Sequence, residues 1–334
     1  MQISAIPENS PPGAGTPRRP NFLRSITLEL LALIIFVVVF NLLAGVGAAL
    51  GDAALILLGL AMAVTPALLW LVIFYRLDRA EPEPRRLVAG VYLTGLLLAA
   101  ALHLPIFTVI FATDAWMGVY WWSQLLGNIL VVGMVSAAIV YGAVRVVVFD
   151  NPEFDERLDG IIYAVAAGLG VATISNFVYV LQHGGVDLGI GSIRMVVDTL
   201  GYASAASVLG YFMGQARFEK TPLLYLPGGV LLSATLTGLY FFLIERSGAN
   251  SFTGDVWRDL LVGIFLTLVI MGAVAWLVRR ANEETARVAQ LSASGDSWEA
   301  RPAASTAPLV AAPLVTAPLA TVPPLTTPTE GDAL

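Results

Sequence analysis

The sequence predicts an all-α fold, a bundle of about eight transmembrane helices with both termini in the cytoplasm. Hydrophobic residues make up 57% of the chain and charged residues 13%, whereas an ordinary soluble domain has about a half and a quarter. A membrane-spanning helix needs about 20 mostly apolar residues. Eight such runs occur, at residues 27–50, 54–75, 87–112, 122–149, 160–182, 195–215, 224–244 and 256–278.

The basic residues orient the bundle, because lysine and arginine in short loops mark the cytoplasmic side of a membrane. If the N-terminus is cytoplasmic, 15 of the 18 lysine and arginine residues fall on that side. The exceptions are Arg194, Arg246 and Arg258. This bias requires an even number of spans, which agrees with eight.

The two ends of the chain differ in composition from the apolar middle. Residues 1–22 contain ENSPPGAGTPRRP, and residues 281–334 are rich in proline, alanine and threonine. Neither segment could bury a core, so we expect disordered tails around a transmembrane domain at 23–280. The triplet APL recurs three times between 307 and 319. It predicts either a ligand for a proline-recognising module or a plain low-complexity linker.

The first run follows Arg18, Arg19 and Arg24, and no small-residue cleavage site stands out after it. We therefore expect an anchoring helix and not a removed signal peptide. The chain has no cysteine, which excludes disulfides, thiolate metal sites and a cysteine nucleophile. Its net charge of −6 comes from acids in the loops and tails, and nothing in the charge pattern indicates a nucleic-acid partner.

Ionisable side chains are scarce inside the runs, although an intramembrane site is usually built from them. Asp198 lies in the sixth run, four residues after Arg194. This spacing predicts a local ion pair at the interface, with a proton-carrying carboxylate as the alternative. His103 and His183 lie at different depths without a neighbouring carboxylate, and they do not make a zinc site.

The fifth run carries a polar pair, Ser175 and Asn176, in an otherwise apolar stretch. Such residues usually join helices by hydrogen bonds. Gly168, Gly170 and Ala172 precede the pair. We expect these small residues to form one face against which another helix packs closely.

Three segments together resemble the PrsW family of intramembrane proteases. They are FYRLDRAEPEPRRL at 74–87, PEFDERLDGIIYAVAAGLG at 152–170 followed by ATISNFVYV, and GYASAASVLGYFMGQARF at 201–218. The resemblance covers about residues 70 to 245. It implies a multi-pass protein of a bacterial inner membrane and, as the family's activity, cleavage of membrane-anchored substrates.

The same resemblance shows that the family's charged positions are neutral in this chain. The family carries Glu-Glu-x-x-Lys in the helix before the EFDE loop, where this chain has Ser136, Ala137 and Val140. The family's Glu-Asn pair is replaced by Ser175-Asn176. A family histidine falls on Tyr202, and a His-Gly-x-x-Asp pattern begins at Thr237 and ends at Phe241. Candidate groove residues beside these positions are Asn176, Tyr179 and Ser204.

Hydrolysis of a peptide bond needs water activated by a general base or a metal. A serine nucleophile would need a base within reach, and Lys220, the only lysine, lies in a predicted loop. We therefore expect no metal, no cofactor and no catalytic residue. The neutral positions should cluster within about 8–10 Å, the spacing of packed helices.

These observations favour a pseudoprotease that acts as a membrane binding or scaffold protein. Its partners would be the lipid bilayer and a single-span membrane protein or a larger membrane complex. One alternative is an active endopeptidase that uses residues not identified from the motifs. A small-solute carrier is the other, disfavoured by the lack of charged sites and of inverted-repeat hydropathy.

Overall fold

The computed structural model describes residues 22–47, 49–77, 83–247 and 256–299. Within these ranges, the backbone alone is described for residues 22–26, 73–77, 103, 104, 108, 114, 256 and 282–299. The chain divides into two units, residues 1–281 and 282–334. The described residues form helices and no strand.

The helices follow the predicted runs in order. They are α1 (Phe22–Leu42), α2 (Ala44–Gly47), α3 (Asp52–Leu77), α4 (Arg85–Leu104), a π-helical segment (Pro105–Ile110), α5 (Thr113–Trp116), α6 (Trp121–Gly127), a second π-helical segment (Asn128–Gly133), α7 (Met134–Val147), α8 (Asp159–Gln182), α9 (Leu188–Phe218), α10 (Tyr225–Ser247) and α11 (Val256–Glu299).

Six helical stretches of the described chain are long and apolar enough to cross a membrane. They confirm an all-α, multi-pass membrane protein. The stretches are 52–72, 85–107, 121–147, 159–182, 225–247 and 257–281. The apolar part of α1, residues 27–42, is shorter, and α9 is not among the six.

The reason that α9 is less apolar is its position inside the bundle. Nearly all of its residues from Leu188 to Gln215 are buried, and it packs against α1, α3, α8 and α10. A helix that contacts protein on all sides can carry serine, threonine and aspartate, because neighbouring helices provide hydrogen-bond partners.

The turn between α8 and α9 is short, and its residue types explain its shape. Gly184 and Gly185 have positive φ angles of 67° and 141°, which glycine adopts without a steric cost. Asp187 then caps α9 by accepting a hydrogen bond from the Ile190 amide at 2.7 Å. These residues return the chain so that α8 and α9 pack together along their length.

The small residues of α8 form two faces, and the expectation of a single face was wrong. A β-carbon added at Gly168 would lie 2.7 Å from the Ala206 β-carbon of α9. One added at Gly170 would lie 2.6 Å from the Leu96 amide nitrogen of α4. Positions two apart on a helix point about 200° apart, so α8 packs closely on two neighbours at once.

The last helix extends beyond residue 281, the position at which the composition predicts that the disordered tail begins. It continues to Glu299. The added segment, ANEETARVAQLSASGDSWE, contains no proline and is rich in good helix formers. Residues 1–21 and 300–334, the remainder of the two predicted tails, lie outside the described residues.

Candidate functional site

Helices α7, α8 and α9 bring together three of the neutral positions that the motifs single out. The Tyr202 hydroxyl of α9 lies close to the side chains of Ser175 on α8 and Ser136 on α7. We call Ser136, Ser175 and Tyr202 the hydroxyl cluster. Helix α10 closes it with Phe241, whose ring centroid lies 4.9 Å from that of Tyr202. Ser136 and Tyr202 are buried, with 5% and 8% of their surfaces exposed.

Ser136 and the neighbouring Thr237 are hydrogen-bonded within their own helices. Ser136 donates to the Val132 carbonyl at 2.6 Å, and Thr237 donates to the Ser233 carbonyl at 2.9 Å. A hydroxyl bonded to the carbonyl four residues earlier is satisfied locally. Without a base it has no route to a nucleophilic alkoxide. Ala137 and Val140, the other two replaced positions on α7, are buried apolar side chains.

The three predicted groove residues do not share one surface. Asn176 is fully buried, donates to the Met195 carbonyl at 3.3 Å and leaves its Oδ1 without a hydrogen bond. Ser204 is also fully buried and donates to the Gly201 carbonyl. Tyr179 is half-buried near the last turn of α8. Asn176 and Ser204 therefore serve packing between helices, and Tyr179 belongs to the outer part of the bundle.

Asp198 is the acidic residue that lies beside the hydroxyl cluster. Its Oδ2 is 3.4 Å from the Ser175 hydroxyl, and the residue is 6% exposed. Among the described residues, Asp198 has no direct ion pair with Arg194, which is exposed and places its guanidinium 4.4 Å from the centroid of the Tyr179 ring. Cation–π stacking of this kind stabilises an exposed arginine without a carboxylate.

A second polar group joins α10 to α6 and the π-helical segment that follows it. Glu245 Oε2 accepts hydrogen bonds from Gln124 Nε2 at 2.7 Å and from Asn128 Nδ2 at 2.8 Å. Asn128 is 1% exposed. In the sequence, Glu245 lies in the end turn of a span. Gln124 and Asn128 are 121 and 117 residues away in the chain, so the sequence does not indicate the contact.

A third polar group lies where the EPEP loop meets the start of α8. Asp159 is buried and accepts hydrogen bonds from the backbone amides of Asp155 at 3.0 Å and Glu156 at 2.7 Å. The Glu83 side chain lies close to Asp159, and the Tyr163 hydroxyl donates to Glu83. These contacts explain why two charged motifs, EPEP and DGI, meet in the fold.

The donor set at the replaced positions does not fit a metal ion. Alanine, valine and phenylalanine provide no ligand, and neutral serine, threonine and tyrosine hydroxyls are weak ligands beside histidine and carboxylate. In the described part of the chain, no group of three or more histidine, cysteine or acidic side chains could hold a metal. His183 is exposed and hydrogen-bonded to the Tyr179 carbonyl. The side chain of His103 lies outside the described set.

We expect purified protein to bind no zinc in stoichiometric amount and to keep its melting temperature when a chelator is added. A zinc ion present at 100 times its Kd would stabilise the folded chain by about 2.7 kcal/mol, which a melting curve detects readily. Metal analysis of protein prepared in metal-free buffer and then incubated with zinc provides the measurement. One zinc per chain, lost with a drop in melting temperature on chelation, would contradict the prediction.

Comparison with known proteins agrees with the motifs. Residues 83–277 match the model of a family described as PrsW family intramembrane metalloprotease. Protease PrsW of Geobacillus kaustophilus is 30% identical over 194 residues, which cover 55% of this chain and 80% of that protein. Protease PrsW of Oceanobacillus iheyensis is 27% identical over 230 residues, or 68% and 97% of the two chains. Protease PrsW of Bacillus subtilis is 25% identical over 183 residues, or 54% and 80%.

No solved structure matches the chain significantly. The family model covers more than half of the chain, from the second half of EPEP through the EFDE loop and helices α4 to α10. The related proteins come from bacteria and are matched over most of their own length. This chain is therefore a multi-pass bacterial membrane protein that belongs to the PrsW family.

Proposed function

We propose that this chain is a catalytically inactive member of its family that binds other membrane proteins. The observation that carries the proposal is the hydroxyl cluster, in which three helices meet at Ser136, Ser175 and Tyr202. By the motif resemblance, these are positions of a glutamate, a second glutamate and a histidine. The cluster keeps the convergence of helices and lacks the side chains that activate water.

The chemistry at the cluster argues against hydrolysis. A general base must accept a proton near working pH, and a general acid must return one to the leaving amine. The cluster hydroxyls are neutral, and the neighbouring Phe241 and Thr237 supply neither role. One carboxylate, Asp198, lies beside Ser175. A single carboxylate lacks the second titrating group on which paired acid–base mechanisms depend.

The retained framework supports a binding role. The family model matches residues 83–277, which include the helices that surround the cluster. We infer that the chain recognises a single-span membrane segment, the class of substrate that the family resemblance implies, and releases it uncut. A larger membrane complex could include the chain in the same way, as a subunit that holds such a segment.

The test is a cleavage assay on a panel of tagged single-span membrane proteins, each co-expressed with this chain and with an empty vector. Protease PrsW of Bacillus subtilis serves as the comparison. We expect every panel member to stay full-length with this chain, and a subset to co-purify with it in mild detergent. Appearance of a cleavage product that depends on this chain would overturn the proposal.

A second candidate is an endopeptidase that uses Asp198, which the contact with Ser175 favours. Replacing Asp198 with asparagine separates the two functions, because asparagine keeps the shape and removes the proton-accepting carboxylate. Under the proposed function, the panel proteins stay full-length with Asp198→Asn, and the same proteins co-purify with it. A cleavage product that is made by the natural chain and lost in Asp198→Asn would establish the second candidate.

A further inference from the structure

One end of the bundle exposes aromatic and aliphatic side chains between two of the membrane-spanning stretches. Residues 109–111 follow the stretch 85–107, and residues 119–122 lead into the stretch 121–147. The side chains at these seven positions are between 44% and 78% exposed. We call residues 109–111 and 119–122 together the aromatic surface.

Hydrogen bonds hold the two halves of the aromatic surface against helix α5, which lies between them in the chain. The Trp116 indole donates to the Phe111 carbonyl at 2.7 Å. The Ser123 hydroxyl lies 3.0 Å from the Trp116 carbonyl oxygen and 2.8 Å from that of Tyr120. Ser123 itself is buried. The exposed rings are therefore carried by an ordered connection between the two spanning stretches.

The connection carries almost no charge. Asp114 is the only charged residue between Arg86 and Arg145. Side chains that face water are mostly polar or charged, whereas a contiguous exposed apolar patch marks contact with another protein or with a membrane. The composition therefore disfavours a loop that extends into water.

The residue types and their position favour lipid as the molecule that covers the aromatic surface. Tryptophan and tyrosine are enriched at the membrane–water interface, because one part of each ring is apolar and another is polar. The Tyr120 and Trp122 rings are stacked, with their centroids 5.6 Å apart. Unlike that of Trp116, the indole N–H groups of Trp121 and Trp122 have no hydrogen-bond acceptor in the described part of the chain. Phospholipid ester and phosphate oxygens are acceptors at the depth where a spanning helix ends.

We propose that the aromatic surface lies in the interfacial layer of the bilayer and binds phospholipid there, with the Trp121 and Trp122 indoles donating to ester or phosphate oxygens. The aliphatic side chains of residues 109–111 then face the outer ends of the acyl chains. This placement does not depend on whether the chain cleaves or binds other membrane proteins.

The same placement sets the depth of Glu245. Its two hydrogen-bond donors are Gln124 and Asn128, which lie about 3 and 9 Å beyond Trp122 along the helix axis. A carboxylate costs less near the head groups than at the bilayer centre. The interfacial position of Trp122 therefore explains how this part of the bundle can contain an acidic side chain.

A depth measurement along one helix face tests the proposal. Trp122, Leu126 and Leu130 are all exposed, and each step of four residues moves a probe about 6 Å along the axis. The chain has no cysteine, so each position can be replaced with cysteine, labelled with a nitrobenzoxadiazole fluorophore and reconstituted in phosphatidylethanolamine and phosphatidylglycerol vesicles. Quenching is compared for phospholipids with a nitroxide near the head group or near the end of the acyl chain.

We expect the probe in Trp122→Cys to be quenched about twofold more by the shallow nitroxide than by the deep one. The order should reverse in Leu130→Cys, and Leu126→Cys should be intermediate. Ile110→Cys, from the other half of the aromatic surface, should behave like Trp122→Cys. Lys220→Cys is the control for water, because Lys220 is exposed in the connection between α9 and α10. With iodide on both sides of the membrane, quenching should be about fivefold stronger there than at position 122.

Three results would each overturn the inference. Iodide quenching at position 110 or 122 as strong as at 220 would place the aromatic surface in water. Protection from iodide and from both nitroxides would mean that protein covers it, as a second copy or another partner. Stronger quenching by the deep nitroxide at 122 would place it in the hydrocarbon core. If Trp122→Cys does not fold, Val119→Cys tests the same depth.

Discussion

Replacing Gly210 with valine is expected to destabilise the bundle by about 3 kcal/mol and to prevent most of the chain from folding. A β-carbon at this position would lie 2.6 Å from the Ile161 Cα and 2.8 Å from the Ala164 β-carbon of α8. Both contacts belong to α8, whose backbone at Gly160 already touches Gly214 of α9. The strain has nowhere to relax except by separating α8 from α9.

The measurement is the yield of monodisperse protein in mild detergent, followed by its melting temperature. Gly272→Val is the control, because Gly272 is exposed on α11 and has no atom within 4 Å of an added β-carbon. That variant should differ from the natural chain by no more than about 0.5 kcal/mol. Similar losses in both variants would show that valine harms the helices themselves and not the α8–α9 contact.

Replacing Asp159 with alanine is expected to cost about 2 kcal/mol and to release the loop before α8. Each hydrogen bond contributes about 0.5–1.5 kcal/mol, and Asp159 accepts two from the backbone of Asp155 and Glu156. Removing the carboxyl group also removes its unfavourable electrostatic interaction with Glu83, which offsets part of the lost stability. We therefore place the net effect near the middle of the summed range of about 1–3 kcal/mol.

A glutamate-specific protease provides the readout, since Glu153 and Glu156 lie in the loop that Asp159 fixes. Cleavage there should be faster in Asp159→Ala, and the melting temperature should fall. Asp150→Ala is the matched control. Asp150 is 72% exposed and pairs with Arg145 at 3.0 Å, and an exposed ion pair contributes about 0–1 kcal/mol. Equal cleavage in the two variants would contradict the assigned role of Asp159.

The motifs identified individual residues of the candidate site, whereas hydrophobic periodicity predicts only the helices that carry them. They singled out Ser136, Ser175 and Tyr202 on three separate helices, and the fold brings these three side chains close together. That they mark a former catalytic centre stays a prediction. The motifs did not indicate Asp198 as a neighbour, because Ser175 and Asp198 are 23 residues apart and meet only across an interface.

The composition and the apolar runs alone determined that this protein is an all-α membrane bundle. The physical reason is that hydrocarbon forces every backbone group to bond within its own helix, so length and apolarity are enough to predict each one. Which faces of those helices meet depends on contacts between side chains far apart in the chain. Only the tertiary structure could therefore decide that Gly168 and Gly170 serve two neighbours, that Arg194 turns to Tyr179, and that Glu245 binds Gln124 and Asn128.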